Sequence, residues 1–349
     1  MMEFYVIKVL FFSTFAFIFA ILATPLLTHY LYKYKLGKKI RNSGATPIFS
    51  ELHAHKEGTP VMGGVLVWGT LLIFILLFSF LGNLFPDGIL GHLNFLSRSE
   101  TLLPLGALII TALIGLFDDW LDVRGKGVAG GGGLKLYHRL VIYTLIALAG
   151  ALWFYFKLDW SVFHVPFLGN FEIGAWYIPL FIFIIVATSF SVNESDGLDG
   201  LAGGTLLIAF AAYAVIAFSL GRYELATFCG VIIGSLLAFL WFNIPPARFY
   251  MGDTGAMSLG VTLGVIAMLT NNSLLLIFFG LIFIIESLSV IIQAISKKLR
   301  GKKIFLSSPI HHHFQAIGWP EAKIVMRSWL LAAISAAIGL IVFLLDRKF

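Results

Sequence analysis

The run Ile178-Pro-Leu-Phe-Ile-Phe-Ile-Ile-Val-Ala187, the octet Asn193-Glu194-Ser195-Asp196-Gly197-Leu198-Asp199-Gly200 and the run Leu206-Leu-Ile-Ala-Phe-Ala-Ala-Tyr-Ala-Val-Ile-Ala-Phe218 together decide the architecture. Apolar runs of about 20 residues read as membrane helices, because only helices or closed barrels satisfy the backbone in lipid. The runs are continuous rather than alternating, which argues against a barrel. Three acids and an amide therefore sit where two membrane helices meet water.

The same pattern repeats along the chain. With 59% hydrophobic and 12% charged residues in 349, and a mean hydropathy of +0.94, a soluble domain has no way to cover its apolar surface. Apolar runs predict about ten transmembrane helices, near 4–32, 61–81, 101–117, 140–156, 176–192, 201–220, 225–242, 257–270, 274–299 and 325–345. The fold class is an all-α polytopic integral membrane protein forming a single transmembrane domain over 1–349. The first run is too long for a signal-peptide core. Alternation at Val162, Phe163, Val165 and Phe167 predicts a short hairpin between the fourth and fifth helices. The lone Cys229 excludes an intrachain disulfide.

Charge sets the orientation. Of 24 Lys and Arg residues, all but Lys8, Arg98, Lys157, Arg222, Arg347 and Lys348 fall in the alternate loops 33–58, 118–139, 193–200, 243–256 and 297–327. By the positive-inside rule these loops are cytoplasmic and both termini lie on the periplasmic side. The net charge of +6 is thus a property of the loops, and no nucleic-acid partner is expected.

The acidic clusters share that cytoplasmic side. Asp118-Asp119 closes the third helix. It is either a solvated helix boundary or a site for a hard cation or for proton abstraction. Asp196 and Asp199 share a face if the sixth helix begins near Asp196, and Asn193, Ser195 or Asp196 then serves as its cap. Gly252-Asp253-Thr254-Gly255 precedes the eighth helix, as a turn or as a site, with Phe249 and Tyr250 beside it. Pro60 suits a first helical turn, and Gly63-Gly64 requires a closely packed neighbouring backbone. Glu286 and Gln293 lie inside an apolar run, where such groups face protein or water rather than lipid. His311-His312-His313 invites a zinc reading, but adjacent side chains diverge and the usual paired spacings are missing; phosphate contact in a loop made cationic by Lys302, Lys303 and Lys323 fits better.

These pieces together resemble one family. His55-Lys56-x-Gly58-Thr59-Pro60-x-Met62-Gly63-Gly64, Phe117-Asp118-Asp119, Asp196-Gly-Leu-Asp199-Gly-Leu-Ala202, Phe239-Leu-Trp-Phe-Asn243, Met251-Gly-Asp253, and Ser308-Pro-Ile-His-His-His-Phe314 with Gly318-Trp-Pro-Glu321 are similar in order and spacing to the polyprenyl-phosphate N-acetylhexosamine-1-phosphate transferases. The His triplet with Gly-Trp-Pro-Glu resembles the muramoyl-pentapeptide branch. The resemblance implies a bacterial inner-membrane enzyme with a cytoplasmic site, Mg²⁺ as cofactor, and often a homodimer. It implies transfer of phospho-MurNAc-pentapeptide from UDP-MurNAc-pentapeptide to undecaprenyl phosphate in the lipid bilayer, releasing UMP.

By motif position the resemblance makes Asp253 the Mg²⁺ ligand and Asp118 the base on the lipid phosphate, with Asp119 beside it. Lys56, Thr59, Lys135, Asn193, Asp196 and Asn243 then line the diphosphate. Gly197, Leu198, Asp199 and Tyr250 surround the uridine, and His311, His312 and His313 stand near sugar and phosphate. The chain departs from the family at Phe190, Glu194 and Ala256, and in the four glycines 130–133. The alternatives are a relative acting on another UDP-N-acetylhexosamine, or a transporter whose path is lined by Glu286. Polar clusters gathered at helix ends rather than at mid-membrane disfavour transport.

Overall fold

The computed structural model describes residues 2–37, 57–98, 100–125 and 133–348; Lys56 lies outside them. In chain order the helices are α1 Met2–Lys33, α2 Val65–Leu84, the short α3 Ile89–Leu93, α4 Leu102–Arg124 and α5 Leu136–Lys157. Strands β1 Val162–Val165 and β2 Gly169–Glu172 pair antiparallel, Val162 opposite Glu172, in the hairpin that the alternation predicts. Then come α6 Tyr177–Ser195, α7 Leu201–Ser219, α8 Tyr223–Asn243 and α9 Gly252–Leu269. The chain ends with α10 Leu276–Phe279, α11 Leu281–Arg300, α12 Ile310–Ala316 and α13 Glu321–Asp346. Among the described residues nine helices are long and apolar enough to cross a membrane, and a bent pair makes up to ten. The chain is a multi-pass, all-α membrane protein.

The bundle is organised around α9, in which every residue from Thr254 to Leu269 is buried. Its small residues explain this enclosure, because they let neighbouring backbones approach where lipid gives helices no hydrophobic drive to associate. A Cβ on Gly115 of α4 would collide with the Asp253 carbonyl, and one on Gly260 would lie 2.9 Å from Ser189 Cα of α6. Gly63 and Gly64 meet the requirement read from the sequence: their N–H groups donate to Tyr250 O at 2.7 Å and Met251 O at 2.8 Å, and Gly64 packs on Gly255.

Three boundaries differ from the sequence reading. Pro60 precedes a non-helical stretch and α2 starts only at Val65, because residues 60–64 pair with the backbone of 250–251 instead of with themselves. The helix carrying Asp118-Asp119 runs on to Arg124 and closes with Gly125 at φ +65°, so the acids lie within a helix rather than at its end. α9 starts at Gly252, which puts Asp253 in its first turn. α7, the sixth of the predicted spans, begins at Leu201 as the apolar run predicts, with Gly200 at φ +84° in the N-cap position and no side chain capping it; the start near Asp196 that would put Asp196 and Asp199 on one helical face is not what forms.

The run 274–299 is not one helix. It breaks at Gly280, and the two halves meet at 86°. α11 then shows an inverted amphipathicity: Glu286, Ser289, Gln293 and Ser296 are buried, while Ile285, Leu288, Ile292, Ile295 and Leu299 are exposed. Their three- and four-residue spacing assigns one face to protein and the other to lipid. The polar face holds the following loop. Gln293 Oε1 accepts from Ile304 N at 2.9 Å and Phe305 N at 3.1 Å, and its Nε2 donates to Phe305 O at 2.8 Å.

Candidate active site

Asp118 of α4, Arg139 of α5, Asn193 of α6 and Asp253 of α9 meet at one end of the bundle. Arg139 is the hub. Its Nε lies 2.9 Å from Asp118 Oδ2, and its Nη2 donates to Asp253 Oδ2 at 2.7 Å. Its Nη1 donates to Asn193 Oδ1 at 2.9 Å, and Asn193 Nδ2 donates to Asp253 Oδ1 at 2.6 Å. Guanidinium geometry suits this task, because a planar fork of five donors reaches three acceptors at fixed angles. The Arg139–Asp118 contact is close but poorly aligned, so Asp118 Oδ2 is buried without a true hydrogen bond. Asp118 Oδ1 is anchored by Leu134 N at 2.5 Å. The Tyr143 hydroxyl, buried within electrostatic reach of Arg139 and Asp253, also has no hydrogen-bond partner among the described residues.

Asp119 is engaged differently. It is 4% exposed, and its two oxygens accept the backbone N–H groups of Asp253 at 2.9 Å and Thr254 at 3.0 Å. A carboxylate from α4 thus closes the N-terminus of α9, where free N–H groups and the helix dipole both favour negative charge. Thr254 locks the same turn, donating to Ala112 O at 2.8 Å and accepting from Trp68 Nε1 at 3.1 Å.

The octet forms the adjoining wall. Asp196 Oδ2 accepts from Gly252 N at 3.1 Å, and Asp199 Oδ2 from Ala247 N at 3.0 Å. Asn243 joins two loops, its Oδ1 accepting from Gly200 N and its Nδ2 donating to Phe249 O, each at 2.9 Å. Leu198 is buried with Leu201, Ile282, Ile324 and Val325. From α13, Trp329 Nε1 donates to Gly200 O at 3.0 Å and Glu321 Oε1 accepts from Asp199 N at 2.6 Å. Thr59 hydrogen-bonds Tyr250, and burial pushes the Tyr250 phenol above its ordinary value, the Thr59 contact offsetting part of the rise. Lys135 stands exposed just before α5.

The three histidines diverge, each to its own partner. His311 Nδ1 meets Glu286 Oε2 at 2.8 Å, His312 Nδ1 meets Gln315 Oε1 at 2.9 Å, and His313 Nδ1 accepts from Leu306 N at 3.3 Å. Sequence reading missed Arg139, Glu321 and Trp329. The available signal for Arg139 was its place one helical turn after Lys135, at the mouth of an apolar helix.

The donor set fits Mg²⁺. Among the described residues no three His, Cys, Asp or Glu side chains form a complete cage. Asp118 and Asp253, however, converge on one cationic group, and one of their oxygens is buried without an aligned donor. Mg²⁺ takes one or two carboxylates together with substrate phosphates, and such an arrangement supplies the protein's share.

Two carboxylates, an arginine and an amide converge at one end of a membrane-helix bundle, and residues 101–271 match the glycosyl transferase family 4 model. A phospho-N-acetylmuramoyl-pentapeptide-transferase of Chloroflexus aggregans is 36% identical over 93% of this chain and 86% of its own length. Those of Clostridium novyi and Geobacillus sp. are 38% and 37% identical over 93% of this chain, and over 93% and 94% of their own. The chain belongs to the phospho-N-acetylmuramoyl-pentapeptide-transferase family.

Proposed function

We propose that the chain transfers phospho-MurNAc-pentapeptide from UDP-MurNAc-pentapeptide to undecaprenyl phosphate, giving lipid I and UMP for peptidoglycan synthesis. The observation that carries the reading is the convergence of Asp118 and Asp253 on Arg139 from helices far apart in sequence. An oxygen of the lipid phosphate forms the new bond to the sugar-bearing phosphorus, and the bond from that phosphorus to UMP breaks. Asp118 Oδ2 is the group free to take a proton from the lipid phosphate. Asp253 holds Mg²⁺, which when bound offsets phosphate charge. Asp119 acts by fixing the first turn of α9, and so the place of Asp253. Lys135, Thr59 and the expected Lys56 favour the diphosphate; Asn193 orients Asp253; Asp196, Gly197, Asp199 and Tyr250 frame the nucleotide. Positioning and charge stabilisation do most of the work in such a displacement.

The Lys/Arg bias of the loops supports a cytoplasmic site, with both termini on the periplasmic side of the bacterial inner membrane. The test is UMP release by purified protein with undecaprenyl phosphate and Mg²⁺, comparing UDP-MurNAc-pentapeptide with UDP-GlcNAc, with and without chelator. Mg²⁺-dependent release with the muramoyl substrate alone is expected. Release with UDP-GlcNAc alone would reassign the substrate, and equal rates in chelator would remove the metal.

A further inference from the structure

α11 carries a carboxylate that the reaction above leaves unused. Glu286 is 3% exposed in a helix of membrane depth, where an unpaired charge is costly. Its Oε2 meets His311 Nδ1 at 2.8 Å and also accepts the His311 backbone N–H at 3.4 Å. With two N–H-bearing groups of His311 directed at the one oxygen, Oε2 is suited to accept from both, the arrangement in which Nδ1 carries the proton. The opposite ring nitrogen, Nε2, is fully buried and has no hydrogen-bond partner among the described residues. It lies against Gly197, where any Cβ would collide with it. Glu194 of α6 is within electrostatic reach of both members of this pair and also of Arg139 of α5 and Asp253 of α9, and the His312 ring packs 4.1 Å from that of His311, centroid to centroid.

We propose that Glu286 is a positioning residue for His311. It holds the proton on Nδ1 and fixes the ring, so that Nε2 is delivered to the Gly197 wall and to the substrate framed there. Which imidazole nitrogen can act is decided by the bond the other one makes. The inference rests on His311 belonging to the site as proposed above. It also explains why α11 turns a polar face inward: the bend at Gly280 brings Glu286 beneath the histidine helix.

The test is a double-mutant cycle on purified full-length protein, with turnover, KM for the UDP substrate and detergent stability read for each variant. E286A should lower kcat roughly 10–100-fold, the usual cost of removing the partner that orients a functional histidine, with KM unchanged. E286Q keeps an acceptor oxygen and should recover part of the loss. E286A/H311N should be no slower than H311N. Losses that multiply, or E286A turnover equal to wild type beside a slow H311N, would overturn the role of Glu286 alone. Wild-type turnover in H311N would instead remove His311 from the site, and the inference with it. Should E286A fail to fold, ¹⁵N histidine NMR of the wild type decides independently: the His311 signal, identified by its loss in H311N, must report a protonated Nδ1, and an Nε2-only tautomer refutes the proposal.

Discussion

Replacing Asp119 by Asn separates two readings of the paired aspartates. The structure makes Asp119 the acceptor for the half-buried Asp253 N–H at 2.9 Å and the buried Thr254 N–H at 3.0 Å. Hydrogen bonds to a charged group contribute about 1.5–3 kcal/mol each, and a buried N–H left unpaired costs about 1–3 kcal/mol. Asn keeps one acceptor oxygen and turns an NH₂ toward the second N–H. The carboxylate's attraction to the helix terminus, up to about 2 kcal/mol in buried geometries, is lost as well. Relief of burial cost and of repulsion from Asp253 and Asp118 works the other way. The net expectation is a destabilisation of about 2–3 kcal/mol, within the usual range for loss of a buried hydrogen-bond partner. Reversible unfolding in mixed detergent micelles measures it. Turnover should fall too, since Asp253 rides on the released turn. A D119N protein that unfolds within about 0.5 kcal/mol of wild type, the range of an inconsequential surface change, yet turns over nothing, would refute the reasoning and make Asp119 a reacting group.

Arg139→Lys keeps the charge but cannot span Asp118, Asn193 and Asp253 at once; turnover should drop on the order of 100-fold, as for a misplaced reacting group, and a loss of only a few-fold would deny Arg139 its central place. Asp253→Ala should abolish transfer while the protein still purifies folded, and near-normal turnover would remove the metal assignment. Gly64→Ala should cost about 1–3 kcal/mol by overpacking against Gly255, which a thermal-shift comparison reads. Burial raises the Glu100 carboxyl above its ordinary value. Its folded state therefore favours the proton, and its share of stability, full below the unfolded value near ~4.3, is lost as pH rises through the higher folded one. Glu100→Gln should flatten that stretch of the stability–pH curve, and an unchanged curve would contradict it.

The membrane helices were legible because continuous apolar runs have one solution in lipid, and Asp118, Asn193 and Asp253 stood out as acids and an amide beside those runs. The bend at Gly280 was not legible, because composition on either side of it is equally apolar and only packing shows the change of direction. Arg139 was hidden for another reason: a cation at a helix mouth reads as an interfacial anchor until its partners on α4, α6 and α9 are in place. Asn243 reads as a diphosphate contact, and its bonds to Gly200 and Phe249 add a second role that was not legible, since a residue that ties two loops together leaves no local pattern.

Asp253 follows Arg139 by 114 residues. At ribosomal speeds of about 5–20 residues per second, the interval between their emergence is on the order of 10 s. Throughout it, α4 and α5 exist as a nascent intermediate carrying Asp118, Asp119 and Arg139, while the helix they are to clasp is still being synthesised. Arg139 can meet Asp118 early and so keep both charges from lipid, but the centre closes only when α9 inserts between segments already in the bilayer. Assembly of the catalytic end is therefore a late insertion event, and a ribosome stalled before α9 would carry a chain whose charged helices are threaded and whose chemistry has not begun.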